Sequence, residues 1–242
     1  MTGRFRETFP SCHAVLPVIH ATSTIQALRN AEIAQRAGCD GIFLINHSIS
    51  HAELMEIHRV VTKATSPWWV GINSLGRRPV RLFAELSESV AGVWIDNAEI
   101  DERSDCHDEA DRIDAARAES RWNGLYFGGV AFKYQREVVD LARACQIATN
   151  YMDVVTTSGV GTGSAASLTK IAAMKEALGE FPLAIASGIT PENVTDYMGV
   201  ADAFLVATGI SDRFTELNPM RVKQLVTAVR SASADRPPLE GR

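Results

Sequence analysis

Short apolar runs alternate along the chain with stretches in which apolar residues return every third or fourth position, a rhythm that predicts strands alternating with helices. Residues 15–20 form the first apolar run; in residues 23–37, Ile25, Leu28, Ile33 and Ala34 then fall at helical spacing, and Gly38 supplies a helix stop. Residues 41–46 lead into a helix over 52–63, and residues 68–73 into one opened by Pro79. A strand at 93–96 precedes a charged segment over 101–119, and one at 124–132 precedes a helix over 135–148. The last three units pair strands at 152–157, 183–187 and 204–207 with helices over 166–178, 192–198 and 219–230.

Eight strand-helix units are what a (β/α)8 barrel needs to close. A doubly wound sheet could use the same alternation, but it more often carries a glycine fingerprint after its first strand, and Ala21-Thr-Ser-Thr24 has none. The expectation is therefore an α/β chain folded as one TIM barrel over residues 1–230, followed by a flexible tail over 231–242 that contains Pro237, Pro238 and Gly241.

Composition narrows the partners. The 242 residues are 46% hydrophobic and 22% charged with a net charge of −5, a globular make-up without the basic excess that a long polyanion selects. No apolar stretch approaches the roughly 18 residues of a bilayer span, and the run before Ala21 carries His13, Pro17 and His20, which suits a strand better than a signal peptide. Cys12, Cys39, Cys106 and Cys145 lie far apart without a CxxC pair, pointing to a reducing cytoplasm. The expected partners are a small phosphorylated metabolite and further copies of the chain in a homo-oligomer, with no nucleic acid, membrane insertion or cofactor.

In such a barrel the chemistry sits just past the C-terminal ends of the strands. Asp96 there is a candidate general base and His20 a candidate acid or base. Lys133 could form a Schiff base with a carbonyl or bind an anion. Asn46, Asn73, Thr156 and Ser158 are candidate substrate-binding groups for sugar hydroxyls or a carbonyl oxygen. His47, His51 and His58 raise a metal reading, but no HExxH pattern joins them, and no metal is predicted. The acids from Asp101 to Asp114, Glu102 among them, are read as a solvated helical face.

The strongest local signal is the group of loops after the sixth, seventh and eighth strands: Thr157-Ser-Gly-Val-Gly-Thr-Gly-Ser164, Ser187-Gly-Ile-Thr-Pro-Glu-Asn193 and Ala207-Thr-Gly-Ile-Ser211. Glycines let main-chain N–H groups converge on an anion, and loops seven and eight are where barrels often hold phosphate. Gly161, Gly163, Ser187, Gly188, Thr208 and Gly209 are the candidate phosphate-binding residues. Thr190 and Pro191 read equally well as a helix cap and first turn.

With the segments Leu16-Pro-Val-Ile-His-Ala21, Gly41-Ile-Phe-Leu-Ile-Asn46 and Val70-Gly-Ile-Asn-Ser-Leu-Gly76, these loops resemble the BtpA-like family, most closely from Asp153 onward. The resemblance departs where Ala21-Thr-Ser-Thr24 replaces a proline- and glycine-rich stretch and where Ile45 replaces an acidic residue. It implies a phosphate-binding TIM barrel of the group that contains phosphoribosylanthranilate isomerase. The barrel alternation and the late glycine loops together predict isomerase or lyase chemistry, aldolase type included, on a phosphorylated sugar or related metabolite; the resemblance carries the alternative, a non-catalytic ligand-binding or assembly factor.

Overall fold

The computed structural model describes residues 2–234. Eight parallel strands close in sequence order into a barrel: β1 (Ala14–Ala21), β2 (Gly41–Asn46), β3 (Trp69–Asn73), β4 (Gly92–Ile95), β5 (Leu125–Gly129), β6 (Val154–Thr157), β7 (Leu183–Ala186) and β8 (Ala203–Val206). Closure is direct, since Ala14 to Pro17 of β1 pair with Ala203 to Val206 of β8. The helices that follow the strands are α2 (Thr24–Ala37), α3 (His51–Thr65), α4 (Pro79–Glu85), α5 (Asp108–Ser120), α6 (Leu141–Ala148), α7 (Leu168–Leu178), α8 (Val194–Tyr197) and α9 (Pro219–Ala234). The single-barrel expectation is met, and no helix among the described residues is long and apolar enough to cross a membrane.

The helix ends follow their local chemistry. The Ser23 hydroxyl accepts the Gln26 N–H at the start of α2, and Gly38, at φ 89°, takes the left-handed conformation that ends it. Ser50 and Glu53 form a reciprocal capping box on α3. Helix α6 starts six residues later than the 135–148 pattern suggested, because its cap is Asp140, whose carboxylate accepts the Arg143 N–H. Residues before that cap are held by tertiary bonds instead: the Gln135 amide donates to the Asp96 carbonyl at 2.7 Å, and Arg136 pairs with Glu102 at 2.5 Å. Glu102 is 3% exposed, so it is a buried ion-pair partner in the segment before α5 and not part of a solvated helical face. The first four residues of the expected tail belong to α9, and residues 235–242 lie outside the described residues.

Strand alternation divides the core into two shells. Leu16, Val18, Phe43, Ile45, Trp94, Phe127 and Val154 point into the barrel, while Ile42, Leu44, Val93, Val155 and Ile185 face the helices. The N-terminal end of the barrel is closed by a helix the hydrophobic pattern did not show, α1 (Thr2–Thr8). Its Phe5, and Phe9 just beyond it, pack into the inner shell, with Phe9 5.3 Å from the Trp69 ring. Both Trp68 and Trp69 are half-buried in the chain's own core, Trp69 inside the barrel and Trp68 donating to the Cys39 carbonyl.

Three aspartates fasten this lower end. Asp40, Asp153 and Asp202 stand immediately before β2, β6 and β8. Each accepts a main-chain N–H near the start of the adjacent strand: Val15 at 2.7 Å, Tyr126 at 2.8 Å and Leu183 at 2.9 Å. Each also pairs with cations, Asp40 with Arg230, Asp153 with Arg4 and Arg117, and Asp202 with Arg6 and Lys175. Arg4 and Arg6 belong to α1, so the same ion pairs that neutralise buried carboxylates hold the plug in place.

Candidate functional site

The upper end of the barrel is open to a cavity of about 300 Å³. Its walls are mostly apolar (Val18, Ile45, Leu75, Trp94, Leu205, Phe214), and its polar lining comes from His20, His47, Asp96, Lys133, Thr162, Ser187 and Thr208. Strand parity explains this set: His20 is two residues past inward Val18, His47 two past inward Ile45, and Asp96 two past inward Trp94.

Asp96 accepts a 2.8 Å hydrogen bond from the Asn73 amide, which fixes its orientation. Burial pushes its carboxyl above the usual range, opposed by the Asn73 bond and by the nearby charges of Lys133 and His47. His20 is 9% exposed, and its pKa is lowered to about 4, first by burial and then by His47 and Lys133, so the ring is neutral at physiological pH. Burial also lowers His47, as does Lys133, while Asp96 acts the other way. The Lys133 ammonium donates to Thr162 Oγ1 at 3.3 Å, placing its charge at the glycine-rich loop after β6, and its main-chain N–H donates to Ser158 Oγ at 2.8 Å.

The candidate phosphate residues come together because the three late loops touch. Ser187 Oγ donates to the Gly161 carbonyl at 3.3 Å. A methyl group on Gly188, at φ +71°, would lie 2.2 Å from the Ala165 nitrogen, and one on Gly209 would lie 2.0 Å from the Ile189 carbonyl oxygen, so each glycine permits one loop to lie on the next. Gly163 stands beside Thr208 and lines the cavity with Ser187, which itself holds φ 125°, a conformation that costs of order 1–3 kcal/mol for a side chain with a Cβ. Gly161, Gly188 and Gly209 shape the loops without lining the cavity. Thr190 caps a turn, not a helix: its hydroxyl accepts the Glu192 N–H, while α8 begins only at Val194.

Other expected site residues lie elsewhere or are spoken for. Asn46 follows inward Ile45 and so faces outward, where its side chain accepts the Leu75 N–H at 2.7 Å and donates to the carbonyls of Ile49 and Leu75. Thr156 is fully buried two residues past inward Val154, with no partner for its hydroxyl, and Ser158 is fully buried, its hydroxyl joined to Gly159 and Lys133. His51 bonds Ser74 and His58 bonds the Val70 carbonyl, so the histidines do not converge; among the described residues no group of three metal-ligating side chains does.

Two features had weak sequence signals. His47 was visible as a strand-end residue, and the parity of β2 selects it over Asn46. The other is a hairpin after β8, formed by β9 (Ser211–Arg213) and β10 (Glu216–Leu217), whose tip carries Phe214 onto the His20 ring at 3.9 Å between centroids.

Fold and site define a (β/α)8 barrel with, at its C-terminal mouth, a mostly apolar cavity that holds a few polar side chains, and glycine-rich loops after β6, β7 and β8. The sequence model of the BtpA family matches residues 127–231, the part of the barrel that carries those loops. No curated protein matches the sequence. Among solved structures, (S)-3-O-geranylgeranylglyceryl phosphate synthase from Thermoplasma acidophilum, in complex with its substrate sn-glycerol-1-phosphate, superposes with a TM-score of 0.68 at 14% identity, covering 96% of this chain and 98% of that one. Phosphoribosyl anthranilate isomerase from Thermus thermophilus gives 0.63 at 15% identity, covering 90% and 98%. Tryptophan synthase subunit alpha from Legionella pneumophila gives 0.66 at 13%, covering 97% of each chain. At these identities the likeness is one of fold.

Proposed function

We propose that the protein is an isomerase of a small phosphorylated sugar or related metabolite, which moves a proton between adjacent carbons. The observation that carries the reading is the Asn73-oriented Asp96 carboxylate, facing the same 300 Å³ cavity as Lys133 and the late glycine loops. Phosphate anchored by the main chain around Gly163, Ser187 and Thr208, with the Lys133 ammonium beside it, leaves the carbon chain over Asp96. There the Asp96 carboxylate takes the proton from the carbon next to a carbonyl, and neutral His20 donates a hydrogen bond to the oxygen that gains charge. Protonated Asp96 returns the proton to the neighbouring carbon, while His20 gives its N–H proton to one oxygen and takes the hydroxyl proton from the adjacent one, so atoms balance without an outside reagent. Because the Lys133 ammonium is directed at Thr162, this reading gives it the anion, and a Schiff-base lyase is the outcome that would replace it.

Deuterium exchange tests the proposal. Phosphorylated aldoses and ketoses incubated with the protein in D2O are expected to gain deuterium at the carbon next to the carbonyl, and Asp96→Asn is expected to lose about 10²–10⁴-fold of that rate. A protein that binds no inorganic phosphate and exchanges no proton across the panel overturns the reading. Borohydride trapping of a carbonyl substrate on Lys133 moves it to the lyase.

A further inference from the structure

The cavity has two unlike halves. On one side lie Lys133, Thr162, Gly163, Ser187 and Thr208; on the other lie His20, His47, Trp94 and Phe214. The second half holds unmet hydrogen-bonding capacity. His20 Nδ1 and Trp94 Nε1 are buried without any partner, although buried polar groups are otherwise nearly always paired. An indole N–H can only donate, and a neutral imidazole offers one donor and one acceptor. The two atoms lie just beneath the cavity wall; their chemistry suits an uncharged oxygen, a hydroxyl or carbonyl, and this half has no cation of its own to offer an anion.

Phe214 maintains that character. Its ring lies 3.9 Å from His20 and 5.2 Å from His47, with the two imidazoles 4.8 Å apart, so one face of His20 is covered by an aromatic group that is itself half exposed at the cavity mouth. The residue is held there from behind. The next carbonyl, Thr215, accepts from Gln26 at 2.5 Å and Asn30 at 2.9 Å, both buried on α2, and the Leu217 N–H donates to Asn30 at 2.8 Å. The charges acting on His20 come from His47 and Lys133; Asp96, near His47, adds a carboxylate that repels a second anion. On the hairpin, Asp212 is bonded by Asn218 and Glu216 by Arg29.

We infer that Phe214 is a positioning and specificity residue which keeps the far half of the site uncharged, so that the ligand is a phosphate monoester whose other end carries hydroxyl or carbonyl oxygen and no second anionic group. The inference rests on the phosphate-anchored reading above and narrows its substrate class. The lowered pKa of His20 agrees with it.

Calorimetry with three probes separates the two claims. Inorganic phosphate tests the anchor alone. Glycerol 3-phosphate and 3-phosphoglycerate share a phosphate and differ in their far end, hydroxyl against carboxylate, and at pH 7.5 the first is expected to bind at least about ten-fold more tightly. In Phe214→Ala the His20 ring, followed by NMR, is expected to titrate well above about 4 and toward 6.5, and at pH 5.5 the preference against 3-phosphoglycerate is expected to shrink. Phe214→Leu, which keeps an apolar cover, is expected to restore both readouts. Equal or tighter binding of 3-phosphoglycerate by the unmodified protein overturns the inference while leaving the anchor standing. So does a His20 titration unmoved in a folded Phe214→Ala. Failure of all three probes to bind removes the anchor itself.

Discussion

Three aspartates at the lower end of this barrel and the cavity at its upper end differ in how far their hydrogen-bonding capacity is met. At the lower end, Asp40, Asp153 and Asp202 each meet a strand N–H and at least one cation. At the upper end, Asp96 receives one amide and, among the described residues, no ion-pair partner, while His20 Nδ1, Trp94 Nε1 and Thr156 Oγ1 have no partner at all. A saturated network rigidifies the scaffold, and an unsaturated one leaves hydrogen-bonding capacity for something that arrives later. The difference separates the end that holds the fold from the end that can do chemistry.

Removing one charge from each end should give the largest contrast. Asp153→Ala strands Arg4, Arg117 and the Tyr126 N–H around an empty position, and breaking a buried pair in this way costs about 3–5 kcal/mol. Urea denaturation should show that loss, with phosphate binding intact at temperatures where the variant stays folded. Asp96→Asn removes a carboxylate that burial already disfavours, so its midpoint in urea should stay within about 1 kcal/mol of the parent while proton exchange collapses. A matching loss of stability at Asp96 would mean that the two ends are not distinct.

Much of this division is legible in the sequence, because strand parity and the strand-end rule act locally. His20, Asn73 and Asp96 lie an even number of residues beyond inward apolar positions. Asn46 fails the same test, and its neighbour His47 passes it. What the pattern could not give depends on contacts distant in the chain: Arg4 meets Asp153, Arg6 meets Asp202, and Phe5 and Phe9 enter the barrel, so the short helix is held by tertiary contacts that its own spacing does not announce. The hairpin bearing Phe214 is likewise fixed by Gln26 and Asn30 of a helix almost the whole chain away. Residues 135–140 looked helical by spacing, yet Gln135 and Arg136 gain more from Asp96 and Glu102, and Asp140 marks the real start.

Acid should find the upper end first. His20 has a folded pKa of about 4 against 6.5 for the free side chain, so the unfolded chain binds the extra proton between those values. The neutral ring's contribution is fully present above pH 6.5 and is lost as pH falls toward 4. At about 1.4 kcal/mol per pKa unit the loss is of order 3 kcal/mol. His47 and His58, also lowered by burial, add to it with the same sign. Denaturation across this range should show a declining stability whose slope is shallower in His20→Gln; an unchanged slope would show that His20 is not the buried neutral group.

The smallest effects separate two kinds of glycine at the upper end. Gly188→Ala sets a methyl 2.2 Å from the Ala165 nitrogen at φ +71°, so the loops after β6 and β7 must part. Gly163→Ala keeps the awkward φ of +78°, but its methyl meets nothing nearer than Thr208 Oγ1 at 3.8 Å, leaving a backbone cost of roughly 1 kcal/mol. If these loops form an anion cup, the first substitution should reduce inorganic phosphate affinity far more than the second, because one moves the converging N–H groups and the other only strains one residue. Calorimetry on both variants ranks them. Equal losses would assign the glycines to local turn geometry alone, and an undiminished affinity in Gly188→Ala would place the phosphate away from the junction of these loops.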